Sequence, residues 1–283
     1  MRGLDKTPRS NRRLAKRFKT LNRISFCKYD KKFILKTSCL RKVGKDIHEF
    51  IPTDKSLIYR ALINNGTTPY ISINWIKFNP SPNYISRANL KNKGTAYYSC
   101  APDISIIECC RDKLKTSNQR EFELTVSKWK ILNNLSFQII CNSKKAQLAG
   151  TDLDQFCIAT NKKRRASLRK KHYRTYFLKA KFLSDQYAKG IINCENDYYI
   201  SAVHANSILK PENKVDGIIY PSVQYFHKGF NYALAPRLFD NSHFRLIEVS
   251  HYKAVFDKRN IFKYPKLGIL KSTKNFKDDV IIW

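Results

Sequence analysis

The chain has 283 residues, of which 42% are hydrophobic, and this length and composition suffice for a globular protein with a buried core. Its 54 Lys and Arg outnumber its 22 Asp and Glu, which gives a formal net charge of +32. Such a charge favours phosphate-bearing partners but does not separate a nucleic-acid-binding protein from an enzyme whose substrate carries a pyrophosphate.

Membrane and disulfide chemistry are not expected. No apolar run approaches the roughly 20 residues needed to span a bilayer, and residues 1–23 lack the apolar core of a signal peptide. We therefore expect a cytosolic protein with no membrane partner. The eight cysteines lie mostly in apolar stretches, as reduced thiols do, so we predict no disulfide. Cys27 and Cys39 form no CxxC pair and the nearest histidine is His48, so we predict no metal site.

The first segment is strongly basic. Residues 1–23 hold nine Arg or Lys and one acid, and Leu14, Phe18 and Leu21 have the spacing of a short amphipathic helix. We interpret residues 1–52 as a basic N-terminal extension.

The next elements alternate between apolar segments and turns. Residues 57–62 indicate a strand or a helix end, and residues 95–100 an aromatic strand. Pro102 opens a predicted helix with Asp103 as its N-cap. That helix is apolar from Ile104 to Cys110 except at two positions, one of which is Glu108.

Apolar alternation predicts strands in residues 122–126 and near residues 137–141. No acid lies between Asp154 and Asp185, although ten Lys and Arg do, which indicates either a solvated surface or a polyanion-binding patch.

The last third of the chain predicts one helix and three strands. The helix covers residues 198–209, and the first strand, residues 218–220, presents Ser222 at its tip. Strands in residues 232–234 and 244–249 follow. This order of elements predicts an α+β fold with a mixed or antiparallel sheet and flanking helices.

Common nucleotide and metalloprotease motifs are absent. The sequence has no GxGxxG, no GxxxxGK followed by Ser or Thr, and no HExxH. Three other segments stand out: Tyr59-Arg60-Ala61; Arg87-Ala88-Asn89 followed by Tyr97-Tyr98 and Ile106-Ile107-Glu108; and Gly217-Ile218-Ile219-Tyr220-Pro221-Ser222 with Gly229 and Asn231 behind it.

These segments resemble the RES family, named for an Arg, a Glu and a Ser, and the match covers roughly residues 55–250. The resemblance implies an ADP-ribosyltransferase-like fold and the consumption of NAD, by hydrolysis, by phosphorolysis or by ADP-ribosylation of a target. It also implies a toxin paired with an antitoxin. The domain would span residues 53–255, with a basic insert at about 155–185 and a C-terminal tail at 256–283.

The resemblance and the chemistry of the residues together define a candidate site for NAD, which is a substrate and not a bound cofactor. Cleavage of the nicotinamide–ribose bond passes through a cationic sugar, which a carboxylate at Glu108 would stabilise. Arg60 and Arg87 would hold the pyrophosphate, because a guanidinium binds phosphate in a bidentate manner. We assign Arg87 and Ser222 with Glu108 as catalytic residues, and Arg60, Tyr97, Tyr98 and Asn231 as NAD-binding residues.

Each of these residues also has a structural interpretation. Arg87 resembles a surface cation, the tyrosines resemble core residues, and Ser222 resembles a turn residue after Pro221. Glu108 interrupts an apolar run, where an acid is costly unless it is paired. Strand alternation allows only one of Tyr97 and Tyr98 to face the site.

Three functions remain open from the sequence: an NAD glycohydrolase or phosphorylase, an ADP-ribosyltransferase acting on a protein or nucleic acid, and a basic nucleic-acid-binding protein without catalysis. The net charge allows an acidic antitoxin or immunity protein, or nucleic acid, as a partner.

Overall fold

A mixed β-sheet is the centre of the fold. The computed structural model describes residues 8–32, 34, 49–51, 57–140, 142–143, 152–190, 192–224, 228–240, 243–257, 260 and 263–283. Within them the sheet has nine strands: β1 (Glu49–Ile51), β2 (Leu57–Ile63), β3 (Ala96–Ser99), β4 (Glu121–Ile131), β5 (Leu135–Ile139), β6 (Gly217–Pro221), β7 (Phe230–Leu234), β8 (Phe244–Val255) and β9 (Lys266–Thr273). Their spatial order is β1-β5-β6-β7-β3-β2-β4-β8-β9.

Only the β5–β6 pair is parallel among the described strand pairs. A separate hairpin pairs β10 (Phe276–Lys277) with β11 (Val280–Ile281). The predicted α+β class with a mixed sheet and flanking helices is therefore confirmed.

The described helices are α1 (Pro8–Leu21), α2 (Ile73–Lys77), α3 (Pro102–Thr116), α4 (Asp152–Ser167), α5 (Lys170–Tyr187) and α6 (Tyr199–Ile208). Short 3₁₀ turns lie at Glu195–Tyr198, Pro211–Asn213 and Pro236–Phe239. None of the helices in the described part of the chain is both long and apolar enough to cross a membrane.

Helix α3 packs against one face of the sheet because its apolar side chains meet those of β2 and β4. Ile106 and Cys110 are fully buried in one cluster with Ala61, Leu124 and Val126. The predicted N-cap is wrong, because Ala101 takes that position and Pro102 begins the helix. Proline suits the first helical position because its φ is already fixed and it has no N–H to leave unsatisfied.

The N-terminal extension and the C-terminal tail both contribute to this fold. In the extension, β1 pairs with β5, and in the tail β9 pairs with β8. Helix α1 packs on α5 of the basic insert, where Phe18 and Phe182 stack with ring centroids 4.1 Å apart. Both rings are almost completely buried, so the extension is anchored by apolar packing.

The prediction of no disulfide is wrong, because Cys27 and Cys194 form one with a Cα–Cα distance of 5.6 Å. The two cysteines are 167 residues apart, and no local pattern links them. Packing of α1 on α5 brings residues 25–27 beside the turn that begins at Glu195. Cys100, Cys109, Cys110 and Cys157 form no disulfide, whereas Cys39 and Cys141 lie outside the described residues, as does His48.

A buried carboxylate also joins residues 25–27 to the turn that begins at Glu195. Asp197 is fully buried, forms an ion pair of 2.9 Å with Lys189, and accepts hydrogen bonds from the backbone N–H of Phe26 and of Asn193. Burial alone would raise the pKa of Asp197, but these donors and the charge of Lys189 lower it on balance. The N-terminal segment is therefore held by an ion pair and hydrogen bonds as well as by the disulfide.

Removal of the disulfide should destabilise the protein measurably. We expect Cys27→Ser to lower the free energy of unfolding by about 2–4 kcal/mol, because the unfolded chain regains the freedom of a long closed loop. Urea unfolding of the variant and of wild type, each with and without reductant, measures this. Reductant should lower the stability of wild type to that of the variant and leave the variant unchanged. A non-reducing peptide map without a Cys27–Cys194 peptide would contradict the pairing.

Candidate active site

The candidate site is built around the Glu108 carboxylate. Glu108 lies on α3 and is half-buried, between the fully buried Ile107 and its half-buried neighbour Cys109. Its Oε1 atom accepts hydrogen bonds from Ser222 Oγ at 2.5 Å and from Asn231 Nδ2 at 2.9 Å. The backbone N–H of Gln224 approaches the same oxygen at 3.4 Å. Glu108 is thus the paired acid that its apolar surroundings require.

Ser222 is positioned by the end of β6 and by the return of the chain into β7. Its side chain is fully buried, and its backbone N–H donates to the carbonyl of Gly229 at 2.8 Å. A Cβ at Gly229 would lie 2.1 Å from the Cδ1 atom of Ile104 on α3. Glycine at this position therefore lets α3 approach the turn closely enough for Glu108 to reach Ser222.

Strand pairing places Asn231, the second side-chain donor, directly opposite a serine that was not among the candidates from the sequence. Asn231 on β7 is the direct partner of Ser99 on β3, and Ser99 Oγ donates to Asn231 Oδ1 at 2.7 Å. The amide oxygen of Asn231 is thereby occupied and its NH2 group is directed at Glu108. Ser99 follows the predicted tyrosine pair by one residue, so alternation was the only sequence signal for it.

Of the two tyrosines, Tyr97 lies on the face of β3 that carries Ser99. Its hydroxyl interacts with Ser86 Oγ at 2.6 Å and accepts a hydrogen bond from the backbone N–H of Ala88 at 2.5 Å. Burial raises the pKa of Tyr97, and these two hydrogen bonds oppose the rise only in part. The tyrosine therefore holds the Arg87-Ala88-Asn89 segment against the sheet.

Arg87 is buried and its guanidinium is occupied by backbone carbonyls. It donates to the carbonyl of Tyr187 at the end of α5 and to that of Lys189 at 3.3 Å, and it lies 5.2 Å from the ring centre of Tyr198. Cations are favourable at the C-terminal end of a helix, where the carbonyls lack helical partners. Arg87 is therefore not the surface cation that its sequence context resembles.

Tyr220 is a further residue on this face of the sheet, and it was not among the candidates from the sequence. It is the register partner of Asn231, and its ring centroid is 5.3 Å from that of Tyr187. Burial raises the pKa of its hydroxyl far above the ordinary value, and the charge of Glu108 raises it further, whereas Arg87 lowers it. Tyr220 therefore adds a buried hydroxyl to the face of the sheet that carries Asn231.

Arg60 and Tyr98 lie on the opposite face of the sheet. Tyr59 pairs with Ser99 and Ala61 packs with α3, so the intervening Arg60 projects away from that helix. Its Nη1 donates to the carbonyl of Tyr97 at 3.1 Å. The Tyr98 hydroxyl donates to the carbonyl of Lys77, and its ring stacks on Phe239. The structure does not bring these two predicted residues to Glu108.

A second buried arginine lies on the same helix as Glu108. Arg111 lies one helical turn further along α3 and is only 1% exposed. Burial lowers the pKa of Arg111, and the charge of Glu108 partly offsets this effect. The sequence analysis did not consider Arg111, although its i, i+3 spacing from Glu108 on a helix was a signal for the interaction.

In the described part of the chain, one cavity and one group of possible metal ligands lie outside this cluster. A cavity of 260 Å³ is lined by residues that include Lys93, Thr95 and Lys210, at the start of β3 and so at the opposite end from Ser99. Among the described residues, Cys27, Cys194 and Asp197 form a group of three whose ligand atoms all lie within 4.8 Å of one another. The disulfide removes both thiolates, so this group fits a covalent link better than a metal ion.

Comparison with known proteins adds no relative: no protein-family model matches the chain, and no curated protein matches it. The site therefore stands on its own geometry, in which Glu108, Ser222, Asn231, Tyr97 and Arg87 share one face of the sheet.

Arg87 should contribute strongly to stability because its loss leaves the carbonyls of Tyr187 and Lys189 without their cationic donor. We expect Arg87→Met to lower the free energy of unfolding by about 2–3 kcal/mol. Urea unfolding followed by fluorescence measures the change. Arg245→Met, which removes an exposed arginine on β8, is the matched control and should change stability by less than about 0.5 kcal/mol. Equal effects of the two substitutions would contradict the assignment of Arg87.

Proposed function

We propose that the chain cleaves NAD between nicotinamide and ribose and that Glu108 is the catalytic carboxylate. The observation that carries the proposal is the convergence of Ser222, Asn231 and the Gln224 N–H on one oxygen of Glu108. Two buried side-chain donors fix this half-buried carboxylate in one orientation, as a group that acts on a bound substrate requires. The ADP-ribosyltransferase-like fold implied by the RES resemblance is part of the same proposal, and so are the cytosolic location and an acidic antitoxin as partner.

The chemistry requires a negative charge that is already oriented. The bond between the ribose C1 and the nicotinamide nitrogen breaks, and its electron pair leaves with nicotinamide. The sugar then carries positive charge, which the Glu108 carboxylate stabilises without having to reorient. Water adds its oxygen to C1 and loses a proton to solvent, or phosphate adds an oxygen in its place. The products are nicotinamide and ADP-ribose or its phosphate ester.

The other residues of the cluster position this carboxylate and the substrate. Ser222 and Asn231 direct hydrogen bonds at Glu108, so we assign them to its orientation rather than to nucleophilic attack. Tyr97, and not Tyr98, is the tyrosine proposed to contact the nucleotide. The guanidinium of Arg87 is already occupied, so we propose that it attracts the pyrophosphate through its positive potential while it holds the end of α5 in place.

Transfer of ADP-ribose to a protein or nucleic acid is the alternative reaction at the same site. It shares bond cleavage and differs only in the acceptor. The third possibility, a basic protein without catalysis, would leave the hydrogen bonds around Glu108 as a purely structural feature.

Substitution of the carboxylate tests the proposal. Glu108→Gln keeps the shape but removes the charge that stabilises the cationic sugar, so kcat should fall by roughly two to three orders of magnitude. Purified protein is incubated with NAD, with and without phosphate, and nicotinamide and the ADP-ribose products are quantified by chromatography. NAD labelled in the adenosine part shows whether label enters a macromolecule instead.

The matched control is Glu212→Gln, which removes an exposed carboxylate in a 3₁₀ turn outside this cluster and should keep the wild-type rate. A wild-type rate in folded Glu108→Gln would reject the catalytic assignment. The absence of nicotinamide release from wild type, with or without a macromolecular acceptor, would reject the proposed reaction.

Substitutions on the two faces of the sheet should differ in their effect on the rate of NAD cleavage. Ser222→Ala removes one of the donors that orient Glu108 and should lower kcat about tenfold or more with little change in KM. Arg60→Met acts on the opposite face, so we expect kcat/KM to change by less than about threefold. If kcat/KM fell further in folded Arg60→Met than in Ser222→Ala, Arg60 would have to be assigned to the NAD site.

A further inference from the structure

Helices α1 and α5 lie side by side and run in the same direction. Three pairs of contacts join them or the residues at their ends, and the partners are 164 residues apart in each pair: Asn11 with Thr175, Phe18 with Phe182, and Asn22 with Gln186. This constant difference in residue number means that the helices are parallel, because in an antiparallel pair the difference would change from one contact to the next. The first turns of α1 and α5 therefore lie at the same end of the pair.

The outward sides of these helices carry cations without intervening acids. In α1, Arg12, Arg13 and Lys16 are exposed, and the helix has no acidic residue. In α5, Arg174 is exposed beside Thr175, which contacts Asn11, and Asp185 in the last turn is its one acid. The basic residues of the two segments thus come together although about 160 residues separate them in sequence.

The end of α4 adds a third group of cations near the start of α5. Lys162, Lys163 and Arg165 are exposed in its last two turns, and only two residues separate α4 from α5. We call these three residues together with Arg12, Arg13 and Lys16 the cationic surface. Their proximity to the start of α5 follows from the short connection.

Three aromatic rings lie in the first two turns of α5, where α1 and the end of α4 approach this helix. The centroid of Tyr173 is 6.4 Å from that of Tyr176 and 6.1 Å from that of Phe177, and all three side chains are half-exposed. Aromatic rings beside cations are typical of proteins that bind single strands, because bases stack on the rings while the cations contact phosphates.

We propose that the cationic surface binds single-stranded nucleic acid. A protein partner would usually meet a patch whose centre is depleted in charge, whereas this one is charged throughout. Arginine supplies half of its six cations, and a guanidinium binds phosphate oxygens in a bidentate manner. None of the residues that surround Glu108 belongs to this surface, so the inference does not depend on the proposed NAD chemistry.

Fluorescence anisotropy with a labelled oligothymidylate of about 20 nucleotides tests the proposal. One variant of the full chain replaces Arg12, Arg13 and Lys16 by Gln, and a second replaces Lys162, Lys163 and Arg165 by Gln. Each should weaken binding about tenfold or more at 0.1 M salt. Each should also reduce the slope of log K against log salt by about 2, as expected for the loss of three phosphate contacts to a single strand.

The matched control replaces the exposed Lys266, Lys271 and Lys274, in and just after β9, by Gln. It removes the same net charge and should change the affinity by less than about twofold. An equal loss in the control would overturn the proposal, because binding would then reflect net charge alone. Tighter binding of polyglutamate or of duplex DNA than of the single strand would also overturn it, in favour of an acidic protein or a duplex.

A substitution that leaves the charge unchanged keeps the proposal testable if a triple variant fails to fold. Tyr173→Leu removes one ring of the aromatic group, and we expect it to weaken oligothymidylate binding about tenfold while the salt slope stays unchanged. Unchanged affinity in this variant would exclude base stacking and with it the preference for a single strand.

Discussion

The position of the Glu108 carboxylate against the sheet is the constraint on which the candidate site depends. A carboxylate among apolar side chains must receive hydrogen bonds, and here the two side-chain donors come from the end of β6 and from β7. Asn231 is in turn held by Ser99 on β3, and α3 brings the acid itself. One set of hydrogen bonds therefore joins a helix and three strands. Any shift of α3 would change the position of the Glu108 carboxylate.

The N-terminal segment is connected to Arg87 by a series of contacts. The guanidinium binds the carbonyl of Lys189, whose ammonium group forms the ion pair with Asp197, and Asp197 accepts a hydrogen bond from the N–H of Phe26. The disulfide links Cys27 to the same turn. Most of these groups are buried, and a buried charge that loses its partner is costly, so each contact depends on the others. The extension is thus part of the support for the candidate site.

Local patterns predicted most of the elements and part of the site. Alternation identified the strand around Phe122, a short apolar run after a turn identified the strand around Ile218, and the apolar run broken by Glu108 identified α3. Which face of the sheet α3 covers is set by tertiary packing, so the sequence could not separate Tyr97 from Tyr98 or remove Arg60 from the site. The disulfide was missed for the same reason, because its cysteines are 167 residues apart in sequence and only the tertiary fold brings them together.

The net charge of +32 has two consequences that can be measured separately. One is a long-range attraction of anions, and the other is the direct contact of individual cations with phosphate groups. All surface cations together raise the local concentration of any anion, NAD included, and salt screens that effect over about 8–10 Å. Direct phosphate contacts instead release counterions one by one, and their number appears as a salt slope. A small molecule such as NAD, with a single pyrophosphate, can engage few cations directly, whereas a single strand can engage many. Binding of nucleic acid should therefore be far more sensitive to salt than binding of NAD, and that difference follows from the distribution of charge rather than from its total.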